Sequence, residues 1–446
     1  MNDYKKIFKS LGIEIPTILI PKDEIDLQKW AVVACDQYTS EPEYWQSVAN
    51  NVADDPSTLN LVYPECFLEE DDPDARISSI NKKMEEYIDA GIFKEFPNTF
   101  FLLYRETKEG FGRWGLVVAL DLERYDFSVG STSLIRATEG TIIERIPPRK
   151  RIRKDAPLEF PHIIVLIDDD KRSIIEPLAA KKDTLKRVYS FPLMKDSGSI
   201  EAYAIDKAED LQMLAQAFTN LADLREYKKK YNKEDLLLFA MGDGNHSLAT
   251  AKSCWEDIKI DLSDVQKETH PARFALVELE NIFDEGLIFE PIHRVLFEAD
   301  KENILEELNK NCLSFERIDC TSADEMYKMI HKEDSFQYFG IVDEKQSIQV
   351  IKVIGAEAQI VAATLQKTLD AYLKDSATTT IDYTHGTQVT YNLGIQKNNV
   401  AIFLPAISKN DFFSSIVHDG ALPRKTFSMG EDFEKRFYIE GRKITE

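Results

Sequence analysis

The stretch Leu236-Leu-Leu-Phe-Ala-Met-Gly-Asp-Gly-Asn-His-Ser-Leu-Ala-Thr-Ala-Lys252 reads as a buried strand, a glycine-rich corner and the start of a helix. Leu236 to Met241 is an apolar run without charge, the pattern of a strand covered on both faces. Ser247 to Lys252 is helix-forming and continues toward Trp255. Gly242 and Gly244 allow backbone conformations that other residues avoid. The first amides of the helix point over the corner, and the helix dipole favours an anion there. Asp243, Asn245 and His246 stand at the mouth of that corner. A glycine corner also serves as a plain tight connection. Here an acid, an amide and an imidazole follow one another, and each needs a hydrogen-bond partner if buried. That succession favours a phosphate or carboxylate site.

The 446-residue chain as a whole bounds what such a site belongs to. Hydrophobic residues make up 43% and charged residues 30%, which is a globular balance long enough for two or three domains. No apolar run has the length of a membrane span. The first residues, Met-Asn-Asp-Tyr-Lys-Lys-Ile-Phe-Lys, lack a signal-peptide core, and a cytoplasmic location is expected. The formal charge of −23 repels nucleic acid and anionic membrane. The five cysteines (Cys35, Cys66, Cys254, Cys312, Cys320) are scattered and form no Cys-x-x-Cys pair, against both a disulfide framework and a structural zinc site.

Periodicity predicts helices over Pro42–Val52 and Ile77–Ala90, and strands over Thr99–Arg105 and Trp114–Leu120 joined by a glycine turn. The apolar run Ala31–Ala34 ends at Cys35-Asp36-Gln37-Tyr38. His162–Ile167 reads as a buried strand, and Ala208–Tyr231 as one polar helix. Phe274–Leu279 and Ile288–Pro291 read as a strand pair around Asp284-Glu285-Gly286. After about residue 298 the texture changes, with helices at Lys301–Asn311 and Ala356–Lys374 and a hairpin over Phe336–Val353. Hairpins mixed with strand–helix units argue for an α+β (mixed α/β) fold. The expected organisation is a region 1–298 that carries the core motifs 136–154 and 236–252, followed by a C-terminal α/β region 299–446 that caps it.

The second informative segment is 136–154, in which Arg145, Arg149, Lys150, Arg151, Arg153 and Lys154 crowd together. In a chain this acidic, such a run suggests either anion capture by the planar guanidinium fork or pairing with the acidic body. No aromatic interleaving supports nucleic-acid binding. Glu139, between Thr138 and Gly140, is a candidate general base close to those cations. None of the seven histidines forms a metal-binding pair, and His246 is the best candidate for proton transfer or phosphate contact. Arg294, beside His293, faces an anion or forms a structural ion pair.

Four stretches together resemble the DUF1015 family. Gly242-Asp-Gly-Asn-His-Ser247 is similar to its Asp-Gly-His-His-Arg motif. Arg136-Ala-Thr-Glu-Gly-Thr141 is similar to its glutamate motif, Glu290-Pro-Ile-His-Arg294 to its Pro-Thr-His-Arg motif, and Gly420-Ala-Leu-Pro-Arg-Lys-Thr426 to its C-terminal Met-Pro-x-Lys-Ser-Thr motif. Its core motif is in turn similar to that of the ParB/sulfiredoxin-like fold, which includes nucleotide-dependent kinases of free serine. The resemblance implies a ParB/sulfiredoxin-like core with added strands and helices. It also implies phosphoryl transfer on a small hydroxy amino acid or its phosphate ester, with serine or O-phosphoserine favoured. Asn245 and Ser247 depart from the motif's first histidine and its arginine, so the arginine clamp on phosphate is missing at the corner.

The expected roles follow. Glu139, Asp243 and His246 are catalytic. Arg136, Arg149, Arg151, Gly242, Gly244, Asn245, Ser247, Arg294 and Lys425 contact phosphate or substrate. ATP or ADP with Mg²⁺ is the expected cofactor, and a small anionic substrate or nucleotide the expected partner. The alternative is a non-catalytic nucleotide- or metabolite-binding protein. DNA binding in the manner of ParB is a third reading, which the net charge disfavours.

Overall fold

The computed structural model describes residues 3–68, 72–140, 142–143 and 146–446. Thr141 and Arg145, both in the motif region, lie outside the described residues. The fold is mixed α+β. The chain packs as two units: residues 1–287 with 431–446, and residues 288–430. The division falls ahead of the expected change near residue 298, and the last residues of the chain belong to the first unit.

The first unit is built on one sheet. Its main strands are β1 (Phe100–Glu106), β2 (Gly112–Asp121), β3 (Tyr125–Asp126), β4 (Ile135–Arg136), β5 (Ile164–Ile167), β6 (Lys186–Pro192), β7 (Ser199–Ile205), β8 (Phe239–Asp243) and β9 (Phe274–Asn281). Their order across the sheet is β6-β7-β1-β2-β9-β5-β8-β4-β3, and Ile13–Glu14 adds a short strand on β2. β5 runs parallel to β9 but antiparallel to β8, so the sheet is mixed. The expected hairpin is present as β1 and β2, paired antiparallel from Phe101–Val117 to Glu106–Gly112. β9 pairs with β2 and β5, not with Phe289–Pro291, which instead pairs with Phe427–Met429 in the second unit. The expected pairing of those neighbours in sequence fails because each has longer-range partners.

Side-chain alternation divides the core between the two faces of this sheet. Phe100, Leu102, Leu116, Val118 and Leu120 point to one face, under helices carrying Phe218, Leu248 and Trp255. Phe101, Leu103, Val117 and Leu276 point to the other, against Trp30, Trp45, Phe160 and Tyr438. The helices that matter below are α1 (Pro42–Val52), α2 (Pro73–Asp89), α3 (Ile146–Arg153), α4 (Ala208–Leu221), α5 (Leu224–Tyr231) and α6 (Asn245–Ile258). α1 and α2 each begin with a proline, whose missing N–H costs nothing at that position. The single helix expected over 208–231 is broken in two, because Asp223 turns its carboxylate back to accept the Arg225 N–H and starts α5.

Residues 431–446 are fastened into the first unit by buried charge. Arg436 bonds Glu278 at 2.7 Å, Glu440 at 2.8 Å and the Pro161 carbonyl at 2.6 Å. Arg442 bonds Glu159 at 2.6 Å. Phe437–Tyr438 pairs with Val32–Val33, and Arg442–Lys443 with Leu158–Glu159. Removing one partner from such a network costs on the order of 3–5 kcal/mol, because a buried charge is left behind. This fastening fixes the position of Lys435 and Tyr438.

The second unit carries a six-stranded sheet of β10 (His293–Phe297), β11 (Ser314–Asp319), β12 (Gln337–Asp343), β13 (Ile348–Ile354), β14 (Thr380–Thr384) and β15 (Asn399–Phe403), in the order β11-β13-β12-β15-β10-β14. β12 and β13 form the expected hairpin. No helix among the described residues is long and apolar enough to cross a membrane. No disulfide joins the cysteines.

Candidate functional site

The glycine corner forms as the sequence predicts, but tighter. β8 extends to Asp243, and α6 begins at Asn245, leaving Gly244 alone as the cap. Gly244 has φ +79°, a left-handed conformation that side chains disfavour. A Cβ there would also stand 3.2 Å from both the Cα and Cγ1 of Ile163. Both constraints demand glycine. Gly242, Asp243, Asn245, His246 and Ser247 are half-buried, so the corner is open to solvent. By helix geometry the first amides of α6 have no acceptor within the helix.

Residues 136–140 and Ile142 come to this corner. β4 lies parallel beside β8, with Arg136 opposite Ala240. Beyond it, the Thr138 N–H donates to Asn245 Oδ1 and the Ile142 N–H donates to His246 Nε2, each at 3.3 Å. Asn245 and His246 therefore strap the Glu139 loop to the mouth of the corner, and Glu139 is half-buried there. This is a different use from the ligand contacts expected of them. It also gives a reason for asparagine at a position where the family motif has histidine: an amide oxygen accepts the loop N–H.

Asp243 is committed on both oxygens. Oδ1 accepts the Gly244 N–H at 2.8 Å, and Oδ2 lies 3.4 Å from Lys435 Nζ. A carboxylate at a helix N-terminus is favoured by the dipole. Ser247 sits in the first turn of α6, half-buried.

The cations are placed otherwise than expected. Arg136 is buried, and its guanidinium donates to the Ser133 and Asp235 carbonyls at 2.8 and 2.7 Å. Burial lowers its pKa from the usual arginine value. It braces β4 and does not face the corner as a phosphate contact. Residues 146–153 of the basic run form a helix, α3, that packs along α6; Lys150 pairs with Asp257 at 2.5 Å and bonds Ser253 at 3.1 Å. Arg149 pairs with Glu65, Arg151 with Asp74 at the start of α2, and Arg153 with Glu159. The acidic body thus meets the arginines directly.

Arg294 and Lys425 belong to the second unit. Arg294 is fully buried on β10; it donates to the Ile292 carbonyl and lies 5.3 Å from the Tyr383 ring centre. Among the described residues it has no carboxylate partner, and its Nε and Nη2 find no acceptor, so the structural ion pair is not formed. Burial lowers its pKa to about 10. Lys425 is exposed, with φ +58°.

A second group of side chains beside the corner was not read from the sequence as functional. Ile163 packs under Gly244, and the preceding residue, His162, meets Tyr438 and Asp36. The Tyr438 hydroxyl accepts the Cys35 N–H at 3.0 Å and lies 2.9 Å from His162 Nδ1. His162 Nε2, on the other side of the ring, lies 3.7 Å from Asp36 Oδ2. Asp36 is 29% exposed and also accepts a hydrogen bond from Gln37 at 2.9 Å. Burial opposes its ionisation, but His162, the Gln37 amide and Lys435 outweigh that and hold the carboxyl below its usual range. Burial and the neighbouring Cys35 and Asp36 push the Tyr438 phenol far up, so it keeps its proton. Burial likewise raises the Cys35 thiol, with Arg149 acting against it. Arg149 is paired with Glu65, whose N–H bonds the Cys35 carbonyl at 2.8 Å. The available signal was Asp36 itself, a carboxylate two residues after the buried run Ala31–Ala34.

The sequence matches the family described as "protein of unknown function (DUF1015)" over residues 19–372, well over half of the chain. No curated protein matches it. Among solved structures, it is similar to a free serine kinase in complex with AMP, at 11% identity and a TM-score of 0.36, covering 74% of this chain and 92% of that one. A mutant free serine kinase in complex with ADP gives 12% identity and 0.37 over 74% and 92%. A conserved hypothetical protein from Pyrococcus furiosus gives 11% and 0.32 over 74% and 95%.

Proposed function

We propose that this chain, which belongs to the DUF1015 family, transfers a phosphoryl group to or from a small hydroxy amino acid, with serine or O-phosphoserine the favoured pair. The observation that carries the reading is the corner. A left-handed glycine pressed against Ile163 opens the N-terminus of a 14-residue helix at a half-exposed surface. That arrangement suits a phosphate, which the helix dipole and first-turn amides stabilise together. The reading is confined to the first unit. The corner amides hold a phosphate of the donor or the ester. Lys435, beside Asp243, supplies the positive charge that the motif arginine supplies in better-matched sequences. Asp243 and His246 fix the corner, and the Glu139 loop borders the ligand.

Phosphoryl transfer asks chiefly for positioning and charge neutralisation. The donor in this reading is a nucleoside di- or triphosphate carrying Mg²⁺. Among the described residues no three His, Cys, Asp or Glu side chains gather into a metal cage. Mg²⁺ bound through phosphates needs only one or two carboxylates, and Asp243 is the one at the corner.

The test is ³¹P NMR of the purified chain with ATP or ADP, Mg²⁺ and serine, and separately with O-phosphoserine alone. A growing phosphomonoester signal, or released inorganic phosphate, is expected. Nucleotide binding without any transfer overturns the catalytic reading in favour of a sensor. The departures at Asn245 and Ser247 favour that second reading.

A further inference from the structure

Asp36 has features that the other carboxylates at the site lack. It sits on a turn between a buried strand and α1, with Tyr38 at φ +53° two residues on, a conformation uncommon outside glycine. Behind it stands a connected set of groups, in which the Cys35 N–H donates to the Tyr438 hydroxyl, that hydroxyl lies 2.9 Å from His162 Nδ1, and His162 Nε2 lies 3.7 Å from Asp36 Oδ2. Tyr438 is only 2% exposed and is held by its strand pairing with Val32. Lys435 lies 3.4 Å from Asp243, and its charge favours the Asp36 anion. Asp243 is held by Gly244 and Lys435, and Glu139 rides on a loop strapped by backbone hydrogen bonds. Asp36, 29% exposed, is the carboxylate backed by the buried His162–Tyr438 pair.

We propose that Asp36, backed by His162 and Tyr438 and faced by Lys435, accepts the hydroxyl proton of the phosphoryl acceptor. The proposal rests on the phosphoryl-transfer reading above and replaces Glu139 in the role expected from the sequence. In the step, the acceptor oxygen forms a bond to the terminal phosphorus of the nucleotide. The bond from that phosphorus to its bridging oxygen breaks, and its electron pair leaves with the shortened nucleotide. The hydroxyl proton passes to Asp36 and then to water. A carboxylate that is ionised at neutral pH suits this step, because the proton leaves late when the transition state is loose. His162 and Tyr438 are positioning residues: they aim the carboxylate and do not touch the substrate.

The experiment compares Asp36→Asn, Asp36→Glu and Tyr438→Phe with the full wild-type chain. ADP affinity by calorimetry reports an intact fold and corner, and ³¹P NMR reports transfer. Asp36→Asn is expected to keep the ADP affinity and to lose turnover by roughly 100-fold or more, the usual worth of a general base. Asp36→Glu restores part of that turnover. Tyr438→Phe lowers kcat while KM for the hydroxyl substrate stays unchanged. Wild-type turnover by Asp36→Asn overturns the assignment while leaving phosphoryl transfer in place. Loss of ADP binding along with turnover makes Asp36 a structural residue and also overturns it. Absence of turnover in the wild-type chain removes the parent reading and the assignment together.

Discussion

Two glycines share one backbone angle, and the pair isolates what the corner costs to build. Gly244 and Gly130 both have φ +79°. A Cβ on Gly130 meets nothing within 4 Å, whereas on Gly244 it meets Ile163 Cα and Cγ1 at 3.2 Å. Alanine at either position carries the left-handed penalty of roughly 1–2 kcal/mol. At Gly244 the added methyl must also push a strand backbone that is buried beneath it, an overpacking cost of about 1–3 kcal/mol. Gly130→Ala is therefore expected to destabilise by roughly 1–2 kcal/mol, and Gly244→Ala by about 2–5 kcal/mol. Urea denaturation followed by tryptophan fluorescence suits the comparison, since Trp30, Trp45 and Trp255 are buried in the first unit. The observable is the difference between the two variants, which cancels the shared backbone cost. Equal losses within about 0.5 kcal/mol refute the claim that Ile163 presses on the corner.

Two other outcomes follow from buried groups. Arg136→Met removes charged hydrogen bonds to two carbonyls and is expected to cost roughly 2–4 kcal/mol of stability without altering ADP affinity; a changed affinity with unchanged stability would restore Arg136 to the ligand site. His293 accepts the Leu404 N–H on Nδ1, and burial, followed by the Arg294 charge, lowers its pKa from 6.5 to about 4. The unfolded chain binds that proton more readily, so the stabilisation is present above pH 6.5 and is lost as pH falls through about 4. Melting temperatures across that window should drop for the wild-type chain and flatten for His293→Gln, and parallel curves would contradict the assignment.

The corner and its helix were legible because their signal is local. An apolar run, two glycines and a helix-forming stretch lie within 17 residues of one another, and the α1 boundaries are set by Pro42 and the apolar face of Trp45, Val48 and Val52. The β1–β2 hairpin was legible for the same reason. What escaped was non-local. Arg149 and Arg151 read as an anion trap until Glu65 and Asp74 are brought to them by the fold. Phe274–Leu279 read as the partner of Ile288–Pro291, yet the strand it forms pairs with β2 and β5. The group around Asp36 is drawn from residues 35–38, 162, 243 and 435–438, and no spacing rule connects them. Its members are ordinary residues in sequence and acquire chemistry only through distance and burial.

Because Val32–Val33 finds its strand partner at Phe437–Tyr438, and Glu278 its guanidinium at Arg436, these pairs join segments far apart in the chain. An early β-edge and an interior acid wait without their counterparts until residues 436–438 have been synthesised. The group around Asp36 cannot assemble before then, since its lysine and phenol come from Lys435 and Tyr438.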